Sequence, residues 1–229
     1  MDRLKGGCYH LNGREYHLSK HGFARRSEFA LESQSGTEMT FLLTDSAQTL
    51  EVYPFPFELR AHYALTASGF VMELRVRNTG VETMRFSLGA HPGFQCEMGD
   101  RIVMDAEETT GAFLLGESGL RGSEQIPVFD NSRQIVLAPD TFARDALIFD
   151  GLKSRGAALV RRNGRNVHVD FGGAPCLGLW AKPGAEYVCI EPWYGVDDRW
   201  DADGDFEHKE RIQSLEPGAE FAFPVAVTV

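Results

Sequence analysis

Apolar and polar residues alternate with a period of two along much of this chain. Phe57, Leu59, Ala61, Tyr63 and Leu65 alternate with Glu58, Arg60, His62, Ala64 and Thr66. Phe70, Met72, Leu74 and Val76 alternate with Val71, Glu73, Arg75 and Arg77. Met84, Phe86 and Leu88 alternate with Thr83, Arg85 and Ser87, and Phe221, Phe223, Val225, Val227 and Val229 close the chain in the same way. Each run has one face to bury and one to leave wet, the mark of antiparallel sheets packed on one another. Turn formers separate the runs: Asn12-Gly13, Ser68-Gly69, Asn78-Thr79-Gly80, Asn163-Gly164, Gly172-Gly173 and Pro217-Gly218. The pattern predicts a hairpin from Phe70 to Leu88 around Asn78-Thr79-Gly80. Only Pro139 to Leu152 offers a short helix, with Asp140 as its cap. The expectation is an all-β fold, a large antiparallel β-sandwich, with residues 1–229 as a single domain. Arg3 to His10 already reads like the middle of a structure, with no strand leading into it.

Composition narrows the function classes. Hydrophobic residues are 43% and charged residues 24%, as in ordinary soluble domains. The formal charge of −10 argues against a nucleic-acid partner and against an anionic membrane surface. No apolar run approaches a membrane span, and the N-terminus has no signal-peptide core, so a cytoplasmic location is expected. The four cysteines, Cys8, Cys96, Cys176 and Cys189, are far apart and show no Cys-x-x-Cys spacing. Free thiols are expected rather than disulfides or zinc.

Candidate chemistry centres on Cys189-Ile190-Glu191-Pro192-Trp193-Tyr194-Gly195. An apolar strand from Tyr187 to Ile190 delivers one carboxylate and is expected to stop at the proline. Such an acid, with aromatic faces beside it, suits proton transfer on a sugar. The plainer reading is a strand end with a solvated glutamate and core aromatics. Among the histidines, His62, His168 and His208 sit in polar contexts and are expected to be solvated. His10, His17 and His21 with Cys8 lack credible metal spacing, and no metal or other cofactor is expected. His21 and His91 stand at the ends of strand-like runs before small or turn-forming residues, His21-Gly22 and His91-Pro92-Gly93. That placement aims an imidazole out of a sheet end. A histidine acid and a glutamate base would suffice to move protons on and off a hydroxyl and an ether oxygen. Asp197, Asp198, Asp201, Asp203 and Asp205 fail EF-hand spacing and read as a solvated acidic loop.

The ordered blocks His21-Gly22-Phe23-Ala24-Arg25, Tyr53-Pro54-Phe55-Pro56-Phe57, His91-Pro92-Gly93-Phe94 and Glu191-Pro192-Trp193-Tyr194-Gly195 resemble the aldose 1-epimerase (galactose mutarotase-like) family. The likeness is closest to its LacX-like bacterial branch. Asp145 to Phe149, Leu152 to Ser154, Lys209 to Ile212 and Leu215 to Gly218 fit that branch too. The resemblance implies a β-supersandwich that interconverts the α and β anomers of an aldose without a cofactor. It implies Glu191 as general base and His91 as general acid. It also implies sugar contacts from His21 and Arg3; Trp193 or Phe94 is expected on the pocket wall. Asp150 is a weakly aligned candidate for the family's acidic sugar-binding residue. Family members begin several dozen residues earlier, so the chain is expected to lack their first strands. That would leave edges and apolar core uncovered, favouring a homodimer or aggregation. Two alternatives stay open. One is a hexose-6-phosphate 1-epimerase using Arg25-Arg26 or Arg161-Arg162 for the phosphate. The other is a carbohydrate-binding or regulatory module without turnover.

Overall fold

The structure, a computed structural model, describes residues 3–229. These residues fall into two compact units. One ends at Leu88 and resumes over Tyr194–Pro224; the other comprises Gly89–Trp193 with Val225–Val229.

In the first unit the alternating runs form an antiparallel meander. Ala30–Gln34 pairs with Glu38–Thr44, which pairs with Phe57–Thr66, which pairs with Gly69–Asn78. Direct pairing aligns Leu43, Leu59 and Val76 on one face, and all three are buried. Further along the same face Met39, Tyr63 and Leu65 are exposed, as is Leu31 beside them. The expected Phe70–Leu88 hairpin does not form. Gly69–Asn78 folds back on Phe57–Thr66 instead, from Thr66 opposite Gly69 to Phe57 opposite Asn78. Met84–Phe86 pairs with Gln213–Leu215. The Asn78 side chain explains the divergence. Its Oδ1 accepts the Gly80 N–H, while Nδ2 donates to the carbonyls of Glu82 and Leu215, both at 2.8 Å. A buried, fully bonded asparagine thus ends one strand and ties the next segment to a distant partner.

The core of this unit is aromatic. Tyr9 stacks on Phe206 with ring centroids 4.1 Å apart, and Tyr53 touches Phe23, Phe55 and Phe57. Each buried phenol keeps a partner: Tyr9 donates to the Val52 carbonyl and Tyr53 to that of Arg85. Burial raises the pKa of both hydroxyls. The one α-helix among the described residues, Ala47–Val52, was not expected. A capping box starts it: Ser46 and Thr49 each accept the other's backbone N–H.

The second unit carries two sheets. One runs in the order Ser132–Val136, Arg101–Glu108, Gly156–Val160, Val167–Asp170, with the last residues of Glu220–Thr228 beyond. The other runs Arg121–Ile126, Ala112–Leu115, Leu147–Asp150, Cys176–Trp180, Tyr187–Tyr194, with Gly93–Gln95 on the far side. Ile102, Met104, Leu159 and Val169 of the first sheet are buried, as are Phe149, Leu177, Leu179, Val188 and Ile190 of the second. The antiparallel sandwich is the architecture the alternation implies. The helix expected over Pro139 to Leu152 is replaced by turns, a left-handed Asp145 (φ 71°), and the strand Leu147–Asp150. Leu147, Ile148 and Phe149 are all buried, so this strand reads as a solid apolar run rather than an alternating one.

Candidate active site

Glu191 and His91 meet because of strand register. Tyr187–Tyr194 does not stop at Pro192, as its sequence suggested; it runs through it. Cys189 lies opposite Gly93, and Val188 opposite Phe94. The same register continues past the assigned strand. The Ile190 N–H donates to the Pro92 carbonyl at 3.2 Å, and the Ala90 N–H to the Pro192 carbonyl at 3.1 Å. These two bonds flank residues 91 and 191, making them a non-hydrogen-bonded antiparallel pair. In such a pair the Cα atoms are only about 4.5 Å apart and side chains approach most closely. They also explain the tolerated proline. An antiparallel residue turns its N and O toward the same neighbour, so the missing N–H of Pro192 falls on the irregular Ala90 side. The regular ladder to Cys176–Trp180 is untouched, with Leu177 opposite Pro192.

The contact is direct. His91 Nδ1 lies 2.7 Å from Glu191 Oε2, the length of a charge-assisted hydrogen bond in which the imidazole donates. Burial is asymmetric: the Glu191 side chain is 3% exposed and that of His91 is 42% exposed. A sequestered carboxylate is therefore linked to bulk solvent through an imidazole.

Register also decides which other candidates share this face. Glu191 is opposite Gly178, which is opposite Ile148; Trp193 is opposite Cys176, which is opposite Asp150. Directly paired residues point to the same side of a sheet, so Asp150 and Trp193 stand on the face of Glu191. Trp193 is buried, and its ring fills the space that Gly178 leaves. A Cβ at Gly178 would stand 2.6 Å from the ring's Cη2. The indole N–H is buried without an acceptor among the described residues. Phe94, opposite Val188, falls on the other face of the strand pair. Three residues to which sequence reasoning gave no role at the site complete the surroundings. Trp180 stands edge-on to His91 with ring centroids 6.2 Å apart. Cys189 precedes Glu191 by two residues on the same face, and Gly178 makes room for the indole. Period-two alternation across residues 187–193 was the available signal for Cys189.

Cys189 and Cys96 are buried free thiols. Burial, then the charge of Glu191, then Cys96, pushes the Cys189 pKa up from 9.0 to about 12. At neutral pH it is a protonated thiol, unsuited to nucleophilic attack.

His21 and Arg3 belong to the first unit. His21 sits in a turn rather than at a strand end, in the left-handed region (φ 66°), with Gly22 (φ 66°) closing the turn onto the Ser19 carbonyl. It lines, with Phe23, Tyr53, Phe57, Met84 and Phe86, an apolar cavity of about 120 Å³. His91 and Glu191 are not among that cavity's lining residues. Arg3 offers its carbonyl to the Asp198 N–H at 2.9 Å. The acidic segment departs from expectation as well. Asp197 and Asp198 are buried, and Asp198 accepts from the Lys5 N–H and from Lys209 Nζ, the latter at 2.7 Å. Asp201 and Asp203 remain exposed. His62, His168 and His208 bond to Thr40, Asp105 and Asp205 respectively. No helix among the described residues is long and apolar enough to cross a membrane.

The fold is that of the galactose mutarotase-like proteins. The structure of a galactose mutarotase related enzyme from Lactobacillus acidophilus superposes with a TM-score of 0.92 at 35% identity, covering 100% of this chain and 79% of that one. A galactose mutarotase-like protein from Lactobacillus casei ATCC 334 gives 0.93 at 24% identity, covering 100% and 82%. The aldose 1-epimerase family model matches residues 2–226, and this chain belongs to that family. Protein LacX of Lactococcus lactis subsp. lactis is 30% identical over 212 residues, 87% of this chain and 71% of that protein.

Proposed function

We propose that this chain is an aldose 1-epimerase, interconverting the α and β anomers of a hexose with Glu191 as general base and His91 as general acid. The observation that carries the reading is the 2.7 Å contact between a buried carboxylate and a half-exposed imidazole. Glu191 takes the proton of the anomeric hydroxyl on one carboxylate oxygen while the other accepts from His91 Nδ1. His91, protonated, delivers its Nε2 proton to the ring oxygen. The C1–O5 bond breaks, leaving an aldehyde at C1, a hydroxyl at C5, a carboxylic acid and a neutral imidazole. Rotation about C1–C2 turns the other face of the carbonyl to O5. The reverse transfers then close the ring: Nε2 regains the O5 proton and Glu191 returns one to O1. Protons balance, and no cofactor is needed.

Asp150 and Trp193 share the face of Glu191 and are proposed as sugar-binding residues, the indole N–H being a buried donor without an acceptor among the described residues. His21 and Arg3 are proposed as hydroxyl contacts on the family resemblance alone. Trp180 beside His91 offers an aromatic face to sugar C–H groups. Phe94 has no role in this reading. A 6-phosphate would need uncommitted cations. Of the four arginines weighed for it, Arg162 is matched by Glu97 at 3.2 Å and Asp100 at 3.9 Å, and the net charge of −10 also favours a neutral hexose. The test is an anomerisation assay over free and phosphorylated hexoses. Conversion of free sugars faster than the spontaneous rate is expected. Binding without acceleration would replace the enzyme by a carbohydrate-binding module, and turnover restricted to phosphates would replace the substrate.

A further inference from the structure

We propose that His91, Cys189 and Glu191 together form a site for a thiophilic divalent cation, zinc being the occupant their chemistry fits, and that occupation disables the acid and the base. A ring nitrogen of His91, Cys189 Sγ and a Glu191 carboxylate oxygen all lie within 4.8 Å of one another. The backbone explains why. Cys189 and Glu191 are two residues apart on one strand and so project from one face. His91 is paired across from Glu191. Gly93 is paired across from Cys189 and has no side chain to interpose; a Cβ there would stand 3.6 Å from Sγ.

One nitrogen, one sulfur and one oxygen are the donor types that zinc takes, in a tetrahedron with bonds of about 2.0 to 2.3 Å. Those lengths imply donor separations of roughly 3.3 to 3.7 Å. The widest separation present must close by at most about 1.5 Å, and the 2.7 Å His91–Glu191 contact must open, both within reach of side-chain rotation. With a thiolate and a carboxylate the dication is neutralised, which lowers the cost of holding it beside two buried residues. The thiol proton is displaced to solvent on binding. The exposed edge of His91 provides entry, and three protein ligands leave the fourth position to water or a sugar hydroxyl. Once coordinated, the imidazole and the carboxylate no longer exchange protons. Inhibition therefore rests on the proposed roles of His91 and Glu191; metal binding does not.

The experiment uses the full chain, freed of metal and titrated with Co²⁺. A tetrahedral visible spectrum with a near-ultraviolet thiolate-to-cobalt charge-transfer band is expected, abolished by added Zn²⁺. Cys189→Ser should lose the charge-transfer band and weaken zinc by at least about tenfold, since even groups that only support ligands contribute 10- to 100-fold. Cys8→Ser, altering the half-exposed thiol of the first unit, should change neither. In the anomerisation assay Zn²⁺ should inhibit the parent, and Cys189→Ser should need correspondingly more. Absence of the thiolate band, or its persistence in Cys189→Ser, overturns the site. A band dependent on Cys189 in a chain that accelerates no anomerisation upholds the site and refutes the epimerase reading. Rapid anomerisation in a chain without the band does the reverse.

Discussion

In the second unit Glu191 lies almost wholly beneath the surface with His91 against it; in the first, Asp198 lies about as deep against Lys5 and Lys209. Their side chains are 3% and 7% exposed. Asp198 is held by a backbone N–H and an ammonium that is itself only 4% exposed and also donates to the Val196 carbonyl. A carboxylate fixed on both oxygens by immobile donors has no proton to trade. Its work is to anchor the chain near residues 3–5 to the segment beyond Tyr194. Glu108 is held in the same manner, by the N–H groups of Lys153 and Ser154 and the Ser154 hydroxyl. Glu191 differs because its partner is an imidazole reaching solvent, the side chain suited to exchanging protons. Depth of burial is alike in the two; the mobility of the partner's proton is what fits Glu191 to the proposed base.

The sharpest way to break this contrast is to neutralise each acid. Glu191→Gln keeps the shape but removes the proposed base, and His91→Asn keeps a polar group but removes the proposed acid. Each should lower kcat by about 10² to 10⁴-fold, roughly 3 to 5 kcal/mol of barrier, with sugar affinity changing much less. The double variant should lose little more than either single one, because the two transfers are coupled. Near-normal turnover in Glu191→Gln would remove the base assignment. Asp198→Asn should act oppositely, sparing chemistry in the protein that folds while costing stability. Taking the carboxylate charge from beside the buried Lys209 ammonium should cost about 1.5 to 3 kcal/mol, readable as a lower denaturant midpoint. A midpoint shift worth under ~1 kcal/mol would make the ion pair incidental.

Smaller perturbations sharpen the comparison further. Gly178→Ala drives a methyl into the Trp193 ring beside Glu191 and should destabilise by about 1 to 3 kcal/mol. Trp193→Phe in the same chain should recover part of that loss in a thermal melt; if it recovers none, the ring is not what the methyl meets. The mildest effect belongs to Cys189. A thiol whose folded pKa is raised to about 12 favours the folded state less as pH climbs from the ordinary 9.0 toward that value, where the unfolded chain ionises first. At pH 8 that contribution is fully present. Iodoacetamide followed by mass spectrometry should therefore modify half-exposed Cys8 well before Cys189. Equal rates would contradict the burial of the thiol beside Glu191.

Much of the fold was legible because period-two alternation is a local property. The Phe57–Thr66 and Gly69–Asn78 strands, the closing strand and the all-β class follow from it. Their partners did not. Asn78-Thr79-Gly80 looks like a hairpin turn, yet the Asn78 side chain binds Leu215, and no pattern in residues 70–88 encodes a contact so remote. The segment before Leu152 failed for another reason. A strand buried on both faces carries no alternation, and its apolar run reads equally well as a short helix. The same limit hid the depth of Asp198, whose acidic neighbours suggested water while Lys209 lay eleven residues away.

For the site, the sequence alone determined the residue types and that Glu191 would ride on a strand, because alternation and strand propensity are written in neighbours. It also carried the family likeness, since His91 and Glu191 stand in ordered, recognisable blocks. Tertiary structure decided the rest. Residues 91 and 191 become a directly opposed pair only through the register of two segments a hundred positions apart, and a slip of one residue would turn one of them to the other face. That same register put Cys189 beside them, sent Phe94 to the opposite side and let Trp193 lie over Gly178. Register is set by the summed burial of whole strands, a quantity that no short stretch of the chain contains.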